Sequence, residues 1–173
     1  GASVRRKEDF RFLQGCGNYT DDVNRPSQAH AWILRSPHAH AAIKGIDSAA
    51  AAKMPGVLAI FTGADMAKDA IGGLPCGWQI HNKDGSPMAE PPHPVLAQGK
   101  ARHVGDPVAV VIAETRSQAR DAAEAVAVDY DVLPAAVTMA DAQKAGAPAI
   151  HDGVAGNLCY DWHIGDKAVV DAA

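Results

Sequence analysis

The residues able to do chemistry are few and scattered. Cys76 sits in L-P-C-G-W, with His81 five positions on. A nucleophilic thiol needs a base to take its proton and a neighbour to orient that base. Nothing in the sequence orients His81, so the residues favour an incidental thiol, with a Cys76-based hydrolase as the alternative. His38 and His40 are two apart and would share a face of a strand. A metal site needs a third ligand and an ordered surround, and Pro37 just before them marks a turn, so surface or strand-end histidines are expected. Asp129 and Asp131 also share a face. The apolar Val128, Tyr130 and Val132 alternate with them, which describes the wet side of a sheet. Gly15-x-Gly17 lacks the preceding strand and third glycine of a dinucleotide fingerprint, and there is no G-x-S-x-G, Walker loop or H-E-x-x-H. From the residues alone, no catalytic, cofactor-binding or metal site is assigned.

Composition narrows the classes further. The 173 residues carry a formal net charge of −4 and no basic stripe, so a nucleic-acid surface is not expected. The three cysteines, Cys16, Cys76 and Cys159, are far apart in sequence and odd in number, which suggests reduced thiols and a cytoplasmic protein. No apolar run is long enough to span a membrane.

The elements that would position any site centre on 104–137. Val108–Ala113 is an unbroken β-branched run, suited to a strand buried on both faces. Thr115 with Gln118 forms a capping box opening a helix through Val126. Ala119, Ala122, Ala123 and Val126 give that helix a narrow small-residue face, and Arg120 with Glu124 makes an i,i+4 pair on its wet side. A strand with one wet face follows at 128–132. Residues 42–62 repeat the pattern weakly: a strand over 40–47, a short helix capped by Ser48, and a strand over 57–62. Parallel neighbours in either unit would require a right-handed crossover. Strands are also expected at 29–35 and 157–163, a hairpin at 95–104, and helices at 139–144 and from Asp166 onward. That last helix begins close to Ala173, which suggests a longer natural chain.

Two segments lack a partner within this scheme. One is the polar arm at the start, with Phe10, Phe12 and Leu13. The other is the glycine- and proline-rich loop 63–94, with Leu74, Trp78, Ile80 and Met88. A long irregular loop with apolar side chains usually serves an interface, so these seven residues are the candidate interface.

Six blocks in order carry a family resemblance: R-K-E-D-F-R-F-L-Q-G-C-G-N-Y-T-D-D-V at 6–23, L-R-S-P-H-A-H-A-A-I at 34–43, P-G-V-L-A-I-F-T-G-A-D at 55–65, R-H-V-G-D-P-V-A-V-V-I-A-E-T at 102–115, V-D-Y-D-V-L-P-A-A-V at 128–137 and G-A-P-A-I-H at 146–151. Together they resemble the N-terminal part of the molybdenum-binding large subunit of the molybdenum hydroxylases, the family of xanthine dehydrogenase, aldehyde oxidase and aerobic carbon monoxide dehydrogenase. The lead-in R-x-E-D-x-R-F is most similar to the carbon monoxide dehydrogenase branch. The resemblance implies an α+β fold, the α/β-hammerhead, with a mixed sheet and packed helices. It places an N-terminal arm at 1–16, the hammerhead at 17–143 and a connector toward a molybdopterin-binding region at 144–173. The parent enzyme would hydroxylate an aldehyde, an N-heterocycle or CO with oxygen from water. Its molybdenum would sit on a molybdopterin dinucleotide, with 2Fe–2S clusters and FAD on partner subunits or domains. The family's pterin-binding segments and catalytic glutamate lie beyond the hammerhead, so no catalytic residue carries over. The implied role is structural, with the rest of the large subunit and the FAD-binding and iron–sulfur subunits as partners. A stand-alone small-molecule-binding module is the other alternative.

Overall fold

The computed structural model describes residues 1–172. Six strands form, β1 (His30–Arg35), β2 (Ala41–Asp47), β3 (Val57–Thr62), β4 (Lys100–Ala101), β5 (Pro107–Ala113) and β6 (Ala127–Val132). Five helices accompany them, α1 (Asp9–Leu13), α2 (Gly63–Lys68), α3 (Arg116–Glu124), α4 (Met139–Ala142) and α5 (Lys167–Asp171). The strands make two three-stranded sheets, ordered β1-β5-β3 and β4-β2-β6.

Every strand pairing is antiparallel. The expected mixed sheet is therefore corrected to two antiparallel ones. Both edges of β5 are taken, by β1 and β3, so the chain leaving α3 has no edge of β5 to join and crosses to β6 in the other sheet. The weaker unit makes the reverse crossing, from β2 to β3, through a single 3-10 turn at Ala51–Lys53 in place of the expected helix. Asp47 caps that turn region by accepting from the Ala49 N–H at 2.9 Å, a role expected of Ser48.

The core follows the predicted pattern. Val108, Ala109, Val111 and Ala113 in the central strand are fully buried. Against Val111 lie Ala122, Ala123 and Val126, with Ala51 closing the cluster and Trp32, Met54 and Ile60 at its margin. Alanines on α3 let the helix sit close on β1 and β5, where a longer side chain would hold it off. Thr115 caps α3, its Oγ1 accepting from the Gln118 N–H at 3.3 Å. Arg120 pairs with Glu124 at 2.9 Å on the exposed side.

An expected hairpin and an expected strand do not form. The 95–104 hairpin is replaced because Ala97 donates to the Pro107 carbonyl (2.7 Å) while Ala101 pairs with Ala41 in the second sheet. Residues 157–163 start with Asn157 at φ 55°, outside extended geometry, and find only isolated partners. α4 and α5 form close to where the sequence predicts them, capped by Thr138 and Asp166. Among the described residues no helix is long and apolar enough to cross a membrane.

Candidate interaction surface

The arm is a short helix with its apolar side chains outward. Phe12 turns back, its ring centroid 5.4 Å from that of Tyr19, with the Arg11 guanidinium 5.0 Å above it. Gly17 allows this closure: a Cβ there would stand 3.0 Å from the Tyr19 ring and 3.1 Å from Phe12. Phe10 and Leu13 remain 73% and 87% exposed.

The 63–94 loop starts as α2, which the sequence reading missed. Thr62 and Asp65 cap it: one Asp65 carboxylate oxygen accepts from the Thr62 N–H and hydroxyl, each at 2.7 Å. Those two bonds hold the Asp65 carboxyl below the usual carboxylate range. The T-x-x-D spacing after a strand was the available signal. Beyond α2 the loop has almost no ladder, yet its backbone is bonded. Leu74 donates to the His93 carbonyl at 2.8 Å, and Gly73 lets the two segments approach, since a Cβ there would lie 2.5 Å from that oxygen. Glu90 accepts from the Cys76 N–H at 3.2 Å and from the Gln79 amide at 2.6 Å. Residues 80–88 fold as a small hairpin, Met88 donating to the Ile80 carbonyl (3.2 Å) and Asn82 to that of Ser86 (2.8 Å). Asp84 accepts from the Ser86 N–H and hydroxyl, which lowers its pKa.

The segment after 157 straps onto this loop. Lys83 donates to the Asp161 carbonyl (2.9 Å), Asp161 to the Asn82 side chain (2.7 Å) and Ala89 to the Cys159 carbonyl (2.7 Å). Trp78 meets Trp162 edge to face at 5.6 Å. Leu74 and Trp78 are 57% and 68% exposed, while Ile80 and Met88 are half-buried in the small hairpin. Trp162, which falls in one of the expected strands, is 41% exposed beside Trp78, and Ile164 two residues on is 85% exposed.

The other sequence candidates are accounted for by local structure. Cys76 turns its thiol to the Trp78 carbonyl at 3.2 Å, which supplies no base for a nucleophile. His38 packs edge-on against Tyr130 at 4.9 Å. His40 is buried rather than on the surface, with Nδ1 2.7 Å from the Pro134 carbonyl. Asp131 pairs with Lys44 on the neighbouring strand at 3.2 Å, both exposed. Among the described residues no group of three His, Cys, Asp or Glu is placed to hold a metal ion.

Residues 14–134 match the family model of the aldehyde oxidase and xanthine dehydrogenase a/b hammerhead domain. The chain is 39% identical to the carbon monoxide dehydrogenase large chain of Hydrogenophaga pseudoflava, over 96% of this chain and 21% of that one. It is 40% identical to the nicotine 6-hydroxylase large subunit of Paenarthrobacter nicotinovorans, over 77% of this chain and 16% of that one. The structure of reconstituted CO dehydrogenase from Oligotropha carboxidovorans superposes with a TM-score of 0.75 at 35% identity, covering 99% of this chain and 22% of the other. The chain thus spans about a fifth of the length of the first of these curated relatives. With the fold, the ordered motifs and the relatives in agreement, this chain belongs to the aldehyde oxidase and xanthine dehydrogenase family, as its α/β-hammerhead domain.

Proposed function

We propose that this domain is the hammerhead part of the large subunit of a molybdenum-dependent hydroxylase, and that its own role is structural. The hammerhead takes residues 17–143, between the arm at 1–16 and a connector at 144–173. The whole enzyme would hydroxylate an aldehyde, an N-heterocycle or CO with oxygen from water, in the cytoplasm. Molybdenum on a molybdopterin dinucleotide would supply that chemistry, with 2Fe–2S clusters and FAD on partner subunits or domains. Among the described residues no three His, Cys, Asp or Glu are grouped to hold a metal ion, and no reaction step is placed on this chain.

One observation carries the structural role. The arm and the 63–94 loop keep their backbones bonded while presenting Phe10, Leu13, Leu74 and Trp78 outward. Apolar side chains held outward on a bonded scaffold suit docking on another protein surface. Phe12 is folded against Tyr19, and Ile80 and Met88 are half-buried in the small hairpin. The occupants proposed are the remaining domains of the same large subunit and, at the margin, the FAD-binding and iron–sulfur subunits.

Trp78→Ala tests this. Truncating an exposed side chain should change the domain's own stability by less than about 0.5 kcal/mol. Truncating a buried interface aromatic in the whole enzyme should cost about 2 kcal/mol or more of assembly free energy. Subunit assembly measured by analytical ultracentrifugation reads the difference. Unchanged assembly in Trp78→Ala would remove Trp78 from the interface.

A further inference from the structure

A cavity of about 220 Å³ opens where the 91–94 segment (P-P-H-P) faces the 102–106 turn and His151. Its polar lining is His93, Arg102, His103, Asp106 and His151. Arg102 is the unusual member. Its backbone N–H is satisfied by Asp106 at 2.8 Å and one terminal nitrogen reaches the Lys100 carbonyl at 3.4 Å, but its Nε is buried with no partner. A buried donor without an acceptor is rare in a folded protein and asks for one from outside. The three imidazoles add up to three further N–H donors, and the proline wall keeps the lining partly apolar, which strengthens each bond.

We propose that this cavity binds one small oxyanion of the sulfate and phosphate class, held by Arg102 with His93, His103 and His151 around it. Asp106 opposes the anion's charge, but its carboxylate is already engaged, with Oδ2 on the Arg102 N–H and 3.8 Å from His103 Nδ1. Asp152 is occupied by Lys100 at 2.9 Å. Burial, then the charges of Arg102 and His93, hold the His151 imidazole below its ordinary pKa, with Asp106 and Asp152 pulling the other way. With Arg102 and Asp106 offsetting each other, His93, His103 and His151 are the remaining polar groups of the wall. Lys100 and Asp152 form a neutral pair beside it. This inference does not depend on the docking role, and its test is made on the 173-residue chain itself.

Sulfate is the probe, a dianion at neutral pH. Imidazole resonances are followed by NMR while sodium sulfate replaces sodium chloride at constant ionic strength. Saturable shifts are expected at His93, His103 and His151 but not at His30, which is outside the cavity. Affinity should fall about tenfold in Arg102→Gln, the loss of one charge-assisted bond. If that variant does not fold, His151→Gln should weaken binding in the same assay. Shifts linear in sulfate, equal shifts at His30, or unchanged affinity in whichever variant folds would overturn the proposal.

Discussion

The α3 side of the molecule and the 63–94 loop are ordered by opposite means. Around α3, apolar side chains are buried and the backbone bonds run in regular ladders. Ala122 and Val111 have no exposed surface. In the loop the side chains stay out and isolated polar bonds do the ordering: Glu90 to Cys76 and Gln79, Asp84 to Ser86, Asn82 to Asp161. Polar bonds at the surface each contribute little net stability, because water offers the same bonds to the open state. The first region should therefore set the global stability and the second should open locally at low cost. A surface that opens cheaply alone can still be firm once covered, which is what a docking segment requires.

The largest break in this contrast is expected from Ala122→Leu. The side chain is fully buried in one cluster with Val111 and Ala51, so overpacking should cost about 3 kcal/mol, the upper end for such changes. The whole domain's thermal midpoint should fall. An unchanged midpoint would mean that α3 does not lie tightly on the sheet.

Gly73→Ala places an equally poor contact in the other region, its Cβ against the His93 carbonyl. Here the chain can yield by releasing the bond from Leu74, so the cost should be about 1 kcal/mol. It should appear as faster amide exchange at Leu74 with little change in global unfolding. A global loss as large as that of Ala122→Leu would make the loop part of the core.

Asp65→Asn, at the junction of the two regions, should give the smallest effect and a pH signature. The Asp65 carboxyl is held below its unfolded value by its bonds from Thr62. It therefore stabilises the fold above the unfolded carboxylate pKa, and that contribution is lost as pH falls through the folded one. The gap between wild type and Asp65→Asn in thermal midpoint should be present at neutral pH and close as pH falls below the ordinary carboxylate range. A gap independent of pH would show that the charge on Asp65 is not what caps α2.

The same contrast explains what the sequence disclosed. β5 and α3 were legible because burial imposes a pattern, an unbroken apolar run in Val108–Ala113 and a helical period in Ala119, Ala122, Ala123 and Val126. Periodicity reports which face is dry but not which strand lies alongside, so the division into two antiparallel sheets was hidden. α2 was hidden by its brevity, although Thr62 and Asp65 marked its start. The loop's apolar content was plain, and Leu74, Trp78, Ile80 and Met88 were picked out from it. Its folding on Glu90 and on the strap at 158–162 was not, since such bonds join single residues far apart with no repeat. The cavity around Arg102 was invisible for the same reason: His93, Arg102 and His151 meet only through tertiary structure. The family resemblance came from ordered motifs, which no single region's physics would have supplied.

Amide hydrogen exchange across residues 63–94 tests the docking role most directly. It is measured once in this chain alone and once in the full large subunit assembled with its partners. Exchange in the loop should slow by orders of magnitude on assembly, while β5 and α3, already protected by their own packing, should change little. Equal exchange of the loop in both states would contradict docking and make the 63–94 segment an ordinary surface of the hammerhead domain.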